Sequence, residues 1–239
     1  MPLQLNLCNG GNAKTDRESS TQRRAALNAI LDPERAGGHD LLDLARAVAA
    51  GGATLVQLRD KKSDTRVMVE KARAIKAILA PLSVTFVVND RVDVALAAGA
   101  DGVHIGPEDM APEDARRLLG GDAIIGVSIK TVAAAEAAPV GLIDYAGVGG
   151  VYATLSKEQK TPPIGVDGFA RVAGALRRRA PALPIVGIAG IDAGNAGAVM
   201  GAGADGVAVI SALSGSRDAA AAARTLREVV DGMLAKRGT

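Results

Sequence analysis

The chain has 239 residues, 48% of them apolar, which is enough to bury a substantial core as one α/β barrel or as two smaller domains. Its formal charge is +2, aromatics make up 2% and Trp is absent, so neither the basic field nor the stacking platform of a nucleic-acid binder is present and no nucleic-acid partner is expected.

The first residues mix Arg17, Arg23 and Arg24 with Asp16 and Glu18 and contain no apolar block of signal-peptide length. Residues 1–24 are expected to be a poorly ordered tail, and 25–239 a barrel domain. Cys8 is the only cysteine, which excludes an internal disulfide and a multi-cysteine metal site and makes the cytoplasm the default location. No apolar run has the length of a membrane span, so no membrane partner is expected.

Ala25 to Leu31 reads as a first strand, followed by the turn-rich DPERAGGH and a helix from Asp40 to Ala50 stopped by Gly51 and Gly52. A second strand, Ala53 to Leu58, runs into Arg59, Asp60 and Lys61. In extended geometry Gln57, Arg59 and Lys61 share one face. Thr65 to Leu79 has helical spacing, and Phe86 to Met110 then reads as strand, helix, strand, with the helix from Val92 to Ala98 closed by Gly99.

Pro112, Glu113 and Asp114 signal the next helix. Ile124 to Val127 is a strand ending at Ser128, Val132 to Ala138 a short helix, and Leu142 to Val148 a sixth strand. Gly149 to Gly168 shows no periodicity and is longer than an ordinary connection, which is common in functional loops. A helix from Phe169 to Arg179, a strand from Pro184 to Ile188, a helix from Ala196 to Met200, the strand segment GADGVAVI and a helix from Arg217 to Lys236 complete the chain. AGADGVHI at 98–105 is echoed by AGADGVAV at 202–209. Eight strand and helix pairs predict an α/β fold of the TIM (β/α)8 type, with a doubly wound sheet as the alternative.

In such a barrel the reacting groups sit where strands end, and the polar residues gather there. Asn89 and Asp90 end one strand, and His104 and Asp109 lie on or just past the next. Asp90 and Asp109 would suffice for Mg2+, which takes one or two protein carboxylates and completes its shell with water and phosphate oxygens. Each Asp also precedes a predicted helix, so capping is the competing account. Arg59, Lys61 and Lys157 suit a pyrophosphate group, and Thr154 and Ser156 offer hydroxyls. Gly190, Ile210 and Ser211 follow the last two strands, where barrels often cradle phosphate. His39 and His104 are assigned structural roles. No nucleophilic triad or dinucleotide fingerprint is visible.

VQLRDK at 56–61, VVND at 87–90, GVHIGPED at 102–109, GVS at 126–128, GVGGVYATLSK at 147–157, IAGI at 188–191 and VIS at 209–211 together resemble the thiamine-phosphate synthase family. The resemblance implies a TIM barrel that joins a hydroxymethylpyrimidine diphosphate to a thiazole phosphate, forming thiamine phosphate and releasing pyrophosphate. It implies these two small molecules as partners, Mg2+ on Asp90 and Asp109, and is compatible with a homo-oligomer. The pyrimidine diphosphate falls to Gln57, Arg59, Lys61, Asn89, Ser128 and Lys157, with Leu58 and Asp60 in the same segment. The thiazole phosphate falls to Thr154, Ser156, Gly190, Ile210 and Ser211. Catalysis is implied for Arg59, Lys61, Ser128 and Lys157. Ser156 stands where the family often has Thr, Ala189 where it often has Gly, and IKT follows Ser128 where a Thr-His pair is common. A thiazole tautomerase-type isomerase and a non-catalytic binder of thiamine precursors are the alternatives.

Overall fold

The computed structural model describes residues 25–156 and 161–237; the N-terminal stretch expected to be poorly ordered lies outside them. The strands are β1 (Leu27–Leu31), β2 (Leu55–Leu58), β3 (Thr85–Asn89), β4 (Gly102–Ile105), β5 (Ile124–Ile129), β6 (Tyr145–Gly149), β7 (Ile185–Ile188) and β8 (Gly206–Val209). They pair in parallel and in chain order, and β1 also pairs with β8, closing a (β/α)8 barrel. Helices α1 (Leu41–Ala50), α2 (Thr65–Leu79), α3 (Val92–Ala98), α4 (Pro112–Leu119), α5 (Val132–Ala137), α6 (Gly165–Arg179) and α7 (Ala196–Gly201) each follow one strand. The last strand is followed by α8 (Ser211–Ser214) and α9 (Ala219–Ala235). No helix among the described residues is long and apolar enough to cross a membrane.

Side-chain alternation sorts each strand into two cores. Ala29, Leu31, Val56, Leu58, Val88, Val103 and Ile125 point outward and pack beneath the helices. Ile30, Leu55, Val87, Ile124, Tyr145, Val186 and Ala208 point inward and fill the barrel. Strands buried on both faces read as continuous apolar runs, which is how most of them stand out in the sequence.

Several boundaries differ from the sequence expectation by a few residues, and three of them have clear local reasons. The first helix begins at Leu41, because Asp40 caps it by accepting from the N–H groups of Leu42 and Asp43. The sixth strand begins at Tyr145 rather than Leu142, since the Leu142 N–H turns back to the Pro139 carbonyl at 2.8 Å. The long loop after β6 ends at Gly165 rather than Gly168, because the Ile164 and Gly165 N–H groups donate to the carbonyls of Gly150 and Val151 and start α6 early.

One device repeats around the N-terminal face. The residue before each even-numbered strand accepts, through its side chain, a backbone N–H at or near the start of the preceding odd strand. Thr54 Oγ1 accepts from Leu27 at 3.0 Å, Asp101 from Phe86 at 2.8 Å, Asp144 from Ile125 at 2.9 Å and Asp205 from Ile185 at 2.8 Å. A helix cation completes each acidic member: Lys76 on Asp101, Arg116 on Asp144 and Arg177 on Asp205. Asp205, the most buried of the three acids, should be the most costly to remove. Truncation would leave the Ile185 N–H unpartnered and take the carboxylate from Arg177, which would keep only its bonds to the Pro181 and Leu183 carbonyls, so Asp205→Ala is expected to lower the unfolding free energy by about 3 kcal/mol in urea titration. A loss within a few tenths of a kcal/mol would show that the contact contributes little.

Candidate active site

The carboxyl ends of the strands converge on a cavity of about 600 Å3, counting its open mouth. Gln57 and Arg59 reach it from β2, Asn89 from β3, His104 from β4 and Ser128 from β5. Thr154 and Ser156 enter from the loop after β6, Gly190 from the loop after β7, and Ile210 and Ser211 from the end of β8 and the start of α8. Ile30, Ile188 and Ala208 give the floor an apolar surface. The sequence places these groups together because inward-facing positions near the ends of parallel strands all open on the same mouth. A larger recess of about 1150 Å3 lies at the opposite face, beside Thr85, Asp101 and Ile124. Its Asp101 is already bound to Lys76 and to the Phe86 N–H, so that recess is a gap between helices in the layer that stabilises the barrel.

Just past Asn89 the chain turns sharply. Asp90 has φ +63°, its N–H donates to the His104 carbonyl at 2.7 Å, and the next N–H, of Arg91, returns to the Asn89 carbonyl at 2.8 Å. Asp tolerates this left-handed region better than most residues, but holding it costs on the order of 1 kcal/mol. The turn sets the Asp90 carboxylate against Lys61 Nζ in an ion pair. Arg91 instead pairs with Asp93 and Thr65. Neither acid is a helix cap: the N-cap of α3 is Arg91, and that of α4 is Ala111. Asp109 accepts the Gly106 N–H at 2.7 Å and turns its carboxyl inward toward Asp90. Desolvation, and then the neighbouring Asp90, push the Asp109 carboxyl above the usual carboxylate range. Two facing carboxylates, one resisting ionisation, form a donor pair whose repulsion a divalent cation would relieve. No group of three or more His, Cys, Asp or Glu suited to a metal occurs among the described residues, so these two hard oxygen donors fit Mg2+ better than a transition metal.

A family model described as thiamine monophosphate synthase matches residues 27–213. The chain belongs to that family. It is 47% identical over 211 residues to the thiamine-phosphate synthase of Agrobacterium fabrum, covering 88% of this chain and 96% of that one. The Moorella thermoacetica thiamine-phosphate synthase is 48% identical over 204 residues, 85% of this chain and 95% of its own length. Among solved structures, the thiamine phosphate pyrophosphorylase from Pyrococcus furiosus aligns with a TM-score of 0.79 at 35% identity, covering 89% of this chain and 98% of that one.

The resemblance to this family gathers Gln57, Leu58, Arg59, Asp60 and Lys61 into one segment, and strand alternation divides them. Gln57 and Arg59 line the pocket, and Lys61 lies on Asp90. Leu58 is fully buried in the layer under the helices, and Asp60 faces Lys71 at 2.8 Å and the N–H groups of Lys62 and Ser63. Neither of those two side chains points into the pocket. Lys157 lies outside the described residues.

Other features of the site add to the sequence expectations, and Asp32 has no counterpart among them. Asp32 accepts from Arg59 and is 2% exposed. Its parity with Asn28 and Ile30 is the signal that places it inside the barrel, but the turn-rich stretch around it reads as an ordinary connection. His104 is buried and hydrogen-bonded to Tyr145 and Ser128, as a structural residue would be, and it also lines the pocket. Ala189 has φ +83° where Gly is favoured, so the departure at that position carries a backbone cost of about 1 kcal/mol. At the adjoining Gly190, φ +65°, a Cβ would lie 2.5 Å from the Ala153 carbonyl oxygen, so the loops after β6 and β7 touch only because that atom is absent.

Asp60 gives a pH test of the support beneath Arg59 and Lys61. Burial pushes its carboxyl up, but Lys71 and the turn N–H groups outweigh this and bring its pKa to about 2 from 3.8. A depressed carboxylate pKa stabilises the fold above the unfolded value and loses that contribution as pH falls toward the folded one. Asp60→Asn is therefore expected to cost about 1–2 kcal/mol at pH 7. The gap to the parent should close between about pH 4 and pH 2 in denaturant titrations at stepped pH. A gap that stays constant with pH would refute this.

Proposed function

We propose that this barrel joins 4-amino-2-methyl-5-hydroxymethylpyrimidine diphosphate to a thiazole phosphate, forming thiamine phosphate and releasing pyrophosphate. The observation that carries this reading is one pocket holding amide, guanidinium and hydroxyl groups at one end and loop hydroxyls and backbone amides at the other, beside a pair of facing carboxylates. Gln57, Asn89 and Arg59 line the pocket, which supports assigning the first two to the pyrimidine ring and Arg59 to its diphosphate. Lys61, released from Asp90, adds a second cation for the same group. Thr154, Ser156, Gly190, Ile210 and Ser211 surround the space assigned to the thiazole phosphate. Asp90 and Asp109 would hold Mg2+, which supplies charge neutralisation for the leaving pyrophosphate.

The reaction breaks the bond between the pyrimidine methylene carbon and the diphosphate oxygen and forms a bond from that carbon to the thiazole nitrogen. The electron pair of the broken bond leaves with pyrophosphate. Because the attacking nitrogen already carries a lone pair and no proton, the protein needs no general base. Its residues contribute positioning and stabilisation of the departing charge. Lys157 is assigned to the diphosphate on family resemblance alone.

Purified protein is expected to release pyrophosphate and form thiamine phosphate only when Mg2+ and both substrates are present, and assays with the carboxylated and the plain thiazole phosphate will identify the preferred form. No product with either would overturn the proposal. Asp90→Asn should raise the Mg2+ concentration for half-maximal rate by about 10- to 100-fold with the fold intact by circular dichroism. An unchanged Mg2+ dependence would remove Asp90 from the metal site.

A further inference from the structure

Behind the pocket, a buried chain of hydrogen bonds runs from β6 through β4 to β5. Tyr145 and His104 are 2% and 5% exposed. The Tyr145 hydroxyl lies 2.9 Å from His104 Nδ1, and His104 Nε2 lies 3.0 Å from Ser128 Oγ. The two rings sit 5.4 Å apart between centroids. His104 and Ser128 line the pocket and Tyr145 lies deeper, in the inner core. Two glycines make room for the pair. A Cβ at Gly126 would sit 2.1 Å from Tyr145 Cζ, and one at Gly147 would sit 3.0 Å from His104 Cε1.

The direction of the chain follows from its buried end. Among the described residues His104 Nδ1 is the one hydrogen-bond partner of the Tyr145 hydroxyl. If the phenol accepted from an Nδ1–H, its own proton would have no acceptor in a dry interior, an arrangement that buried hydroxyls avoid. Burial also pushes the phenol pKa up, so the proton stays on oxygen. Tyr145 therefore donates to Nδ1. A neutral imidazole that accepts at Nδ1 carries its proton on Nε2, and that N–H donates to Ser128 Oγ. With its oxygen already accepting from behind, Ser128 turns its own proton toward the pocket.

We propose that Tyr145 and His104 are positioning residues that fix Ser128 as a hydrogen-bond donor, so that this wall of the pocket selects a ligand with an acceptor there, such as a ring nitrogen of an aminopyrimidine. The inference rests on the reaction proposed above for the identity of that ligand. Its directional core, the Nε2–H tautomer set by Tyr145, stands apart from any activity. Tyr145→Phe removes one oxygen and keeps the ring, which preserves packing against Gly126.

Two measurements test this. In 15N-histidine-labelled protein without substrates, His104 is expected to show the neutral Nε2–H tautomer, and Tyr145→Phe to convert it to a mixture. An Nδ1–H tautomer in the parent, or no change in Tyr145→Phe, would overturn the proposal. In steady-state kinetics, Tyr145→Phe should raise KM for the pyrimidine diphosphate about five- to tenfold, the effect of one hydrogen bond, and leave KM for the thiazole phosphate unchanged. Combined with Ser128→Ala, it should add nothing beyond Ser128→Ala alone. Independent, multiplying losses in the double variant would show that Tyr145 does not act through Ser128. A parent protein that forms no thiamine phosphate would defeat the assigned reaction, while the tautomer result would still decide the relay.

Discussion

Register is the constraint on which this molecule depends, and the N-terminal face reinforces it. In a parallel strand buried on both faces, a slip of one residue exchanges every inward side chain for an outward one, and hydrophobicity alone resists this weakly because both sides are apolar. Side-chain acceptors at Thr54, Asp101, Asp144 and Asp205 each take up one specified backbone N–H, at Leu27, Phe86, Ile125 and Ile185. Four polar contacts thereby tie four strand pairs in register. Everything at the other end inherits that choice: with β2 in register, Gln57 and Arg59 face the cavity and Leu58 and Asp60 face the helices.

The charges at the carboxyl end are organised by the same alternation. Arg59 reaches the pocket paired with Asp32, and Lys61 lies against Asp90. Such pairing holds each long cation in place, so less side-chain freedom would be lost if the two bind the diphosphate as proposed. The two pairs differ in their surroundings. Asp32 is buried and also takes the Glu34 N–H, which suits a permanent support for the guanidinium. Asp90 faces a second carboxylate, Asp109, and sits on a strained turn, which suits the metal site proposed for the two acids.

Much of this is legible in the sequence, because strands and helices leave local signatures. Apolar runs mark the eight strands, and period-two alternation puts Gln57, Arg59 and Lys61 on one face from residue order alone. What escapes is non-local or very short. Helix α8 has four residues, too few for periodicity to register. The competition between capping and metal binding at Asp90 and Asp109 is undecidable from spacing, since a turn residue with positive φ and a helix cap both precede a helix. Asp32, Tyr145 and His104 acquire their roles from partners 27, 41 and 24 residues away in the chain, and no pattern within a window reports such a contact.

The internal echo shows how the barrel separates stability from chemistry. AGADGVHI and AGADGVAV enter β4 and β8, and at the foot of each strand the repeated Asp does the same work, receiving an N–H from the neighbouring strand and a cation from a helix. Higher along the strand the copies diverge at one inward position. His104 fills its place and reaches Ser128, whereas Ala208 leaves its place open as part of the cavity wall. A single change of residue at that position makes one wall of the pocket polar and the facing part roomy, without disturbing the contacts that hold either strand in register. Chemistry can vary at the carboxyl ends of such a module because its register is held at the other end.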